Sequence, residues 1–171
     1  MNASGCGVTV KEYGHHLAGD PAYADKAARI SALTRDLSEL LPSLLPALKH
    51  RVAANPKVTS GQLAFHPPCT LQHWQGLRPL SEQVMTQLGM TLQPFTESHL
   101  CCGSAGAYSV MQPEISKSLR DRKLANLNHA EPDVMMSSNI GCIGHLQSGT
   151  DTPVRHWIEV VDAALVTREI S

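Results

Sequence analysis

The sequence predicts an α/β protein in which a parallel β-sheet carries helices on both faces. Short apolar runs typical of buried strands alternate with segments whose apolar residues recur at helical spacing, and the connections between them are short. The chain has 171 residues, 42% of them hydrophobic, which suits one ordinary globular domain with a core. Because open α/β sheets bind ligands at the carboxyl ends of their strands, we expect a functional site at that edge.

The N-terminal part of the chain is predicted to be helical. Residues 2–8 are small and rich in glycine, which suits a loop leading into a short helix at residues 8–15. From residue 21 to about residue 45, apolar residues at helical spacing predict one long amphipathic helix, broken near Pro42 or Pro46.

The rest of the chain alternates between predicted strands and helices. Strands are predicted at residues 61–66, 91–94 and 134–136 and near residue 154, and helices at residues 80–88, 113–127 and 158–165. The charged residues of the helix at 113–127 are interspersed among apolar ones, so we expect them to face solvent. They are Lys117, Arg120, Arg122 and Lys123.

Composition excludes several classes of partner. Lys and Arg together number 14 against 15 Asp and Glu, and aromatic residues make up only 4% of the chain, so we expect no nucleic-acid partner. No apolar run approaches the roughly 18 residues that a spanning helix needs, and residues 1–11 lack the pattern of a signal peptide. We therefore expect a cytoplasmic protein with no direct membrane span.

The cysteines carry the most specific signal. Five cysteines in a cytosolic chain indicate ligands or redox groups rather than disulfides, since reducing compartments keep thiols free. The candidate ligands are Cys69, the adjacent pair Cys101 and Cys102, and Cys142 with His145. A C-x-x-H pair can reach one metal from a single turn, whereas adjacent cysteines are strained as a disulfide. Gly103 lets the backbone come close to whatever these thiols hold.

The number of donors favours an iron–sulfur cluster but leaves alternatives open. A structural zinc ion takes four ligands, and this set offers five, which suits a cluster bound mainly by thiolates. Zinc stays possible if one donor does not bind, and the chain would then be a structural docking domain. A third hypothesis is thiol–disulfide exchange by Cys101 and Cys102 themselves. Cysteines buried simply as apolar residues are the remaining interpretation.

Residues outside this set receive weaker assignments. Ser4-Gly5-Cys6 is similar to Ile140-Gly141-Cys142, so the same loop would be used twice. Cys6 is interpreted either as inert or as the remnant of a second site, and the remnant is the preferred interpretation. His66 and His99 are candidates for tuning the cluster rather than binding it. No catalytic triad, P-loop or dinucleotide fingerprint is present, so no catalytic residue is assigned.

The cysteine pattern resembles the cysteine-rich "CCG" domain found in heterodisulfide reductases, anaerobic glycerol-3-phosphate dehydrogenase, lactate-utilisation proteins and glycolate oxidase. The general pattern ends in C-x-x-C, and here His145 stands in the last position. Residues 2–13, 101–106, 139–146 and 154–159 are similar to the branch formed by the iron–sulfur subunits of glycolate oxidase.

The resemblance implies a Rossmann-like, three-layer fold and a division of the chain. Residues 1–50 would be the end of a first, truncated CCG repeat with a linking helix, and residues 51–171 a complete second CCG domain. The family also carries two ferredoxin-type 4Fe-4S motifs, which are absent here. The chain is therefore expected to be a C-terminal fragment of a longer subunit.

The resemblance also implies a role in electron transfer. In this family a flavin-containing subunit oxidises glycolate to glyoxylate, and the iron–sulfur subunit passes the electrons toward a quinone at the cytoplasmic face of the inner membrane. The expected cofactor is an iron–sulfur cluster, with zinc as the alternative. The expected partners are the flavin-containing subunits, and the chain would not be catalytic alone.

Overall fold

A parallel β-sheet organises the structure. The computed structural model describes residues 1–52 and 61–165, and within these ranges the sheet has three strands in the order β1-β2-β3. They are β1 (Leu63–Phe65), β2 (Val134–Ser137) and β3 (Val154–His156). Both pairings are parallel, with Ala64 opposite Met135 and Met136 opposite Arg155. The predicted α/β class is confirmed.

Helices surround the sheet. In chain order they are α1 (Ser4–Lys11), α2 (Tyr13–His16), α3 (Ala24–Leu33), α4 (Leu37–Val52), a π-helical turn (Thr70–Trp74), α5 (Arg78–Gln87), α6 (Tyr108–Met111), α7 (Pro113–Asn128), α8 (Ile140–Gln147) and α9 (Trp157–Ala164). Across residues 1–52 and 61–165, none of these helices combines the length and apolar character needed to cross a bilayer.

Both faces of the sheet are buried. Alternate residues of a strand point to opposite faces, so Leu63 and Phe65 pack into one core cluster with residues of α4, α5 and α9. Ala64 and Met135 pack into the second cluster, which also contains Cys102 and Cys142. Two of the candidate ligands therefore belong to the core itself, where their positions are fixed by close packing.

The single long helix predicted for residues 21–45 is wrong. The structure has two helices, α3 and α4, because the chain becomes extended at Thr34. Asp36 then starts α4: its carboxylate accepts a hydrogen bond from the Ser38 backbone N–H at 3.0 Å, and Glu39 accepts one from the Asp36 N–H at 2.8 Å. This reciprocal pair is typical of a helix N-terminus.

The predicted break at Pro42 or Pro46 is also wrong, since both lie inside α4. The strand predicted at residues 91–94 is reduced to one parallel bridge between Leu92 and Leu63, with the Gln93 N–H donating to the Leu63 carbonyl at 2.7 Å.

Helix α9 begins with a capping box. The His156 side chain accepts a hydrogen bond from the Ile158 N–H at 3.2 Å, and the Glu159 carboxylate accepts one from the His156 N–H at 2.9 Å. We expect Glu159→Ala to lower the free energy of unfolding by about 1 kcal/mol, because the His156 N–H loses its partner. Urea unfolding measures the loss. Glu159→Gln is the matched control, since glutamine also accepts this bond, and equal losses in both variants would contradict the explanation.

Candidate metal centre

The four candidate cysteines converge at the carboxyl ends of β1 and β2. Cys69 follows β1 through two prolines and directly precedes the π-helical turn. Cys142 lies in the first turn of α8, which follows β2. Cys101 and Cys102 lie in the loop before α6. This is the edge of the sheet at which the sequence predicts a ligand.

The four thiols form a continuous chain of contacts. Cys69 interacts with Cys101, Cys101 with Cys102, and Cys102 with Cys142. Cys102 and Cys142 are buried, whereas Cys69 and Cys101 are partly exposed. All five cysteines of the chain lie in the described ranges and all are free thiols. The centre therefore has a buried half and a half that faces outward.

The contacts divide the thiols into two kinds. Hydrogen bonds from Cys102 and Cys69 lower the pKa of Cys101 to about 2, and a hydrogen bond from Cys102 lowers the pKa of Cys142 to about 5 in spite of its burial. The same bonds to thiolates raise the pKa of Cys69 and of Cys102. These contacts favour the thiolate form at Cys101 and Cys142, which gives a negatively charged donor set that suits a soft metal ion or an iron–sulfur cluster.

The lowered pKa of Cys101 predicts unusual reactivity in metal-free protein. Iodoacetamide should alkylate Cys101 at nearly the same rate at about pH 5 and about pH 8, because its sulfur is a thiolate throughout. A thiol of ordinary pKa would instead react about tenfold faster for each pH unit over this range. Fragmentation mass spectrometry separates Cys101 from buried Cys102, and glutathione serves as the control thiol. A Cys101 rate that follows that of glutathione would contradict the assignment.

His66 lies against the buried half of the centre. Its side chain is fully buried at the end of β1, and neither ring nitrogen has a regular hydrogen bond among the residues that the structure describes. A ring nitrogen of His66 and the sulfurs of Cys102 and Cys142 all lie within 4.8 Å of one another. In the sequence, the position of His66 three residues before Cys69 was the only sign that its ring lies at the centre.

His145 lies behind the cysteine loop. Its Nε2 is 3.2 Å from the Ser116 hydroxyl and 3.3 Å from the Ser116 carbonyl oxygen. The Ser116 hydroxyl donates to the Gly103 carbonyl at 2.8 Å, so α7, α8 and the cysteine loop meet at this residue. The role of His145 as a fifth ligand stays a prediction.

Gly103 is required by the path of the cysteine loop. Its φ is +91°, and a Cβ atom there would lie 2.2 Å from the Ser116 carbonyl oxygen. Only glycine combines this backbone conformation with so close an approach. Gly103 therefore allows the loop to bring Cys101 and Cys102 down onto the sheet edge.

Lys123 is a buried cation next to the centre, so its predicted exposure to solvent is wrong. Its side chain is 1% exposed, and its Nζ donates to the Glu97 carbonyl at 2.7 Å and lies 5.3 Å from the centre of the Phe95 ring. Burial lowers the pKa of Lys123 to about 8, while Cys69, Cys101 and Cys102 act in the opposite direction. The positive charge of Lys123 offsets part of the negative charge of the thiolates.

A cavity of about 630 Å³ opens beside the partly exposed thiols. Its lining includes Cys69, Cys101 and Cys142, and Cys6 from α1.

The two similar strings that contain Cys6 and Cys142 were predicted to be loops, and that prediction is wrong. Ser4-Gly5-Cys6 forms the first turn of α1, and Ile140-Gly141-Cys142 forms the first turn of α8. Asn139 links the two, because it accepts from the Gly5 N–H at 3.3 Å and donates to the Cys142 sulfur at 3.5 Å. Cys6 is exposed, and its assignment to a second site stays a prediction.

The part of the chain that carries this site matches a known protein family. The family described as the cysteine-rich domain, CCG, matches residues 63–147, which include all four converging cysteines and both His66 and His145. The chain is 48% identical to the glycolate oxidase iron–sulfur subunit of Escherichia coli (strain K12) over 165 aligned residues. The aligned residues make up 96% of this chain and 39% of that protein. The chain thus spans about two fifths of the length of that relative.

Two shorter relatives match over most of this chain. The chain is 30% identical to the uncharacterised protein YkgE of Escherichia coli (strain K12), over 93% of this chain and 67% of YkgE. It is 28% identical to lactate utilization protein A of Geobacillus kaustophilus (strain HTA426), over 92% of this chain and 66% of that protein. The shared sequence and the converging cysteines together show that the chain belongs to the family of cysteine-rich CCG-domain proteins.

Proposed function

We propose that the chain is the C-terminal part of an iron–sulfur electron-transfer subunit of a glycolate oxidase. The observation that carries this proposal is the convergence of four interacting thiols around one cavity at the sheet edge. Cys69, Cys101, Cys102 and Cys142 would bind an iron–sulfur cluster, and the first prediction for a fifth donor is His145. The similarity to the Escherichia coli subunit supports the same function.

The complete complex would oxidise glycolate to glyoxylate on a flavin-containing subunit and pass the electrons toward a quinone. Residues 1–50 would end a first CCG repeat, and residues 51–171 would form the second. The complex would work in the cytoplasm, at the inner membrane. We assign no bond-making or bond-breaking role to this chain, which would serve the complex by holding the cluster.

The residues of the chain are suited to that task. When bound, an iron–sulfur cluster accepts and releases single electrons. Cys102 and Cys142 would hold the cluster from within the apolar core, which excludes water. Cys69 and Cys101 are partly exposed at the cavity, where a partner's redox group can approach. Lys123 supplies a nearby positive charge, which stabilises a negatively charged donor set.

A structural zinc site is the second candidate. His66, Cys102 and Cys142 form a compact buried group of three donors, and Cys101 next to Cys102 would complete the four ligands that zinc takes. Thiol–disulfide exchange is the third, supported by the lowered pKa of Cys101.

Metal analysis of chain purified without oxygen separates these functions. The proposal expects iron and acid-labile sulfide at near-stoichiometric amounts, with a brown colour, because thiolate-bound clusters absorb visible light. Stoichiometric zinc in colourless protein would instead establish the docking domain. Metal-free protein that catalyses disulfide exchange would establish the thiol function, and either result would overturn the cluster.

A further inference from the structure

The imidazole of His66 is fully buried next to the thiols of Cys102 and Cys142. It follows β1 directly, and its backbone N–H donates to the Met136 carbonyl at 2.8 Å, which continues the sheet pairing. Pro67 and Pro68 come next and are both buried. The backbone on both sides of His66 is therefore fixed, and the ring is held inside the protein.

An imidazole in this position needs a partner. Among the residues that the structure describes, both ring nitrogens are buried without a regular hydrogen bond, and the ring interacts with the Cys142 sulfur. A buried polar atom left unpaired costs about 1–3 kcal/mol, so native proteins rarely keep one without a reason. A bound metal ion at the ring would remove part of that cost.

The neighbouring sulfurs supply the rest of a metal site. A ring nitrogen of His66 and the sulfurs of Cys102 and Cys142 lie within 4.8 Å of one another. Two such donors around one tetrahedral metal are about 3.5 Å apart, given metal–sulfur distances of about 2.3 Å and metal–nitrogen distances of about 2.0 Å. Binding of a metal would therefore draw the three atoms closer together than the 4.8 Å within which they now lie.

Resting on the proposed cluster function, we infer that His66 is the nitrogen ligand of the metal centre and that His145 is a positioning residue. His145 Nε2 is engaged with Ser116, whose hydroxyl holds the Gly103 carbonyl. His145 thus acts on the centre through the cysteine loop, whereas the His66 ring lies next to Cys102 and Cys142.

This assignment has a consequence for the redox chemistry of the centre. Imidazole is a neutral ligand, and replacing a thiolate with it makes an iron–sulfur centre easier to reduce. His66 would therefore hold the reduction potential above that of a centre bound by thiolates alone. His66→Cys should keep metal binding and lower that potential.

Zinc binding to the metal-free chain tests the inference without any need for a cluster. The chain, labelled with ¹⁵N in its histidine rings, is titrated with zinc alone, and two-bond proton–nitrogen correlation spectra follow each ring. We expect one ring nitrogen to shift on binding, the shifting ring to be absent in His66→Gln, and the shift to remain in His145→Gln. We also expect His66→Gln to weaken zinc binding at least about tenfold in competition with a chelator.

Several outcomes would overturn the inference. They are a shift that disappears in His145→Gln and persists in His66→Gln, zinc binding with no response from any histidine ring, and failure of zinc to bind. If His66→Gln does not fold, as judged by circular dichroism, the wild-type and His145→Gln spectra decide whether the responding ring is His145.

A second measurement separates this inference from the proposed function. The chain is reconstituted with ferrous iron and sulfide, and pulsed electron paramagnetic resonance of the reduced protein looks for coupling to a ¹⁵N histidine. If a cluster assembles and shows coupling to a histidine nitrogen that is lost in His66→Cys, both the electron-transfer function and the assignment of His66 as a ligand are supported. If a cluster assembles without that coupling, the function is supported and the assignment of His66 as a ligand is overturned. If the chain assembles no cluster but the His66 ring responds to zinc, the assignment of His66 as a metal ligand is supported and the electron-transfer function is overturned.

Discussion

Replacing Cys102 with serine should abolish the binding of iron and acid-labile sulfide. Cys102 is 1% exposed, and its sulfur contacts those of both Cys101 and Cys142, so it joins the two halves of the thiol chain. Serine keeps the size of the side chain but offers a hard, weakly acidic oxygen in place of a thiolate, and iron–sulfur clusters are held by thiolates. Metal and sulfide analysis of protein purified without oxygen measures the loss.

Cys6→Ser is the matched control for this experiment. Cys6 is exposed on α1 and lines the cavity, outside the thiol chain that runs from Cys69 to Cys142. We expect Cys6→Ser to keep iron and sulfide at the wild-type level. A Cys102→Ser protein that does so as well would contradict the ligand assignment.

Gly103→Ala should be the most destabilising glycine substitution at the site. The new Cβ would lie 2.2 Å from the Ser116 carbonyl oxygen and 3.1 Å from His145 Nε2, at a backbone φ of +91°. Backbone atoms of a packed helix cannot move aside easily. Strain at positive φ contributes roughly 1–2 kcal/mol and overpacking roughly 1–3 kcal/mol more, so we expect a loss of about 2–5 kcal/mol. Urea unfolding of the metal-free chain measures this.

Two glycines separate the causes of that loss. Gly89 has φ of +86° with open space around it, so Gly89→Ala tests backbone strain alone and should cost about 1–2 kcal/mol. Gly144 lies in α8 with open space, so Gly144→Ala should be neutral or stabilise by up to about 1 kcal/mol. Equal losses for Gly103→Ala and Gly89→Ala would show that the contact with Ser116 has no effect.

The sheet and the location of the site could be predicted because their signals are local. Three residues, Leu63, Met135 and Val154, mark short apolar runs that became the three paired strands. Parallel strands align their carboxyl ends at one edge, so cysteines that follow two of them had to come close together. The convergence of Cys69 with Cys142 follows from this rule.

The helix boundaries could not be read from apolar spacing. The spacing continues from α3 into α4, while the polar interactions of Asp36 and Glu39 start a new helix between them. Pro42 and Pro46 are penalised inside helices in general, yet the packing of Leu41 and Leu45 in the core holds α4 together around them. Tertiary packing overrode local propensity here.

The surroundings of the metal centre were the hardest part to predict. Lys123 lies in α7 among charged residues that were expected to face solvent. Only the fold shows that its side chain reaches the Glu97 carbonyl beside the thiols. His66 stands three residues before Cys69 in an H-x-x-C spacing, but the sequence does not show that its ring reaches Cys102 and Cys142 across the fold. The C-x-x-H spacing of His145 was more conspicuous, but its Nε2 lies at Ser116.

The most direct test of the central claim is a reductive titration of the chain reconstituted with iron and sulfide, followed by electron paramagnetic resonance. The account predicts a signal that appears as the potential is lowered, disappears reversibly as it is raised, and is absent from Cys102→Ser. A chain that binds stoichiometric zinc, stays colourless and gives no signal at any potential would contradict it.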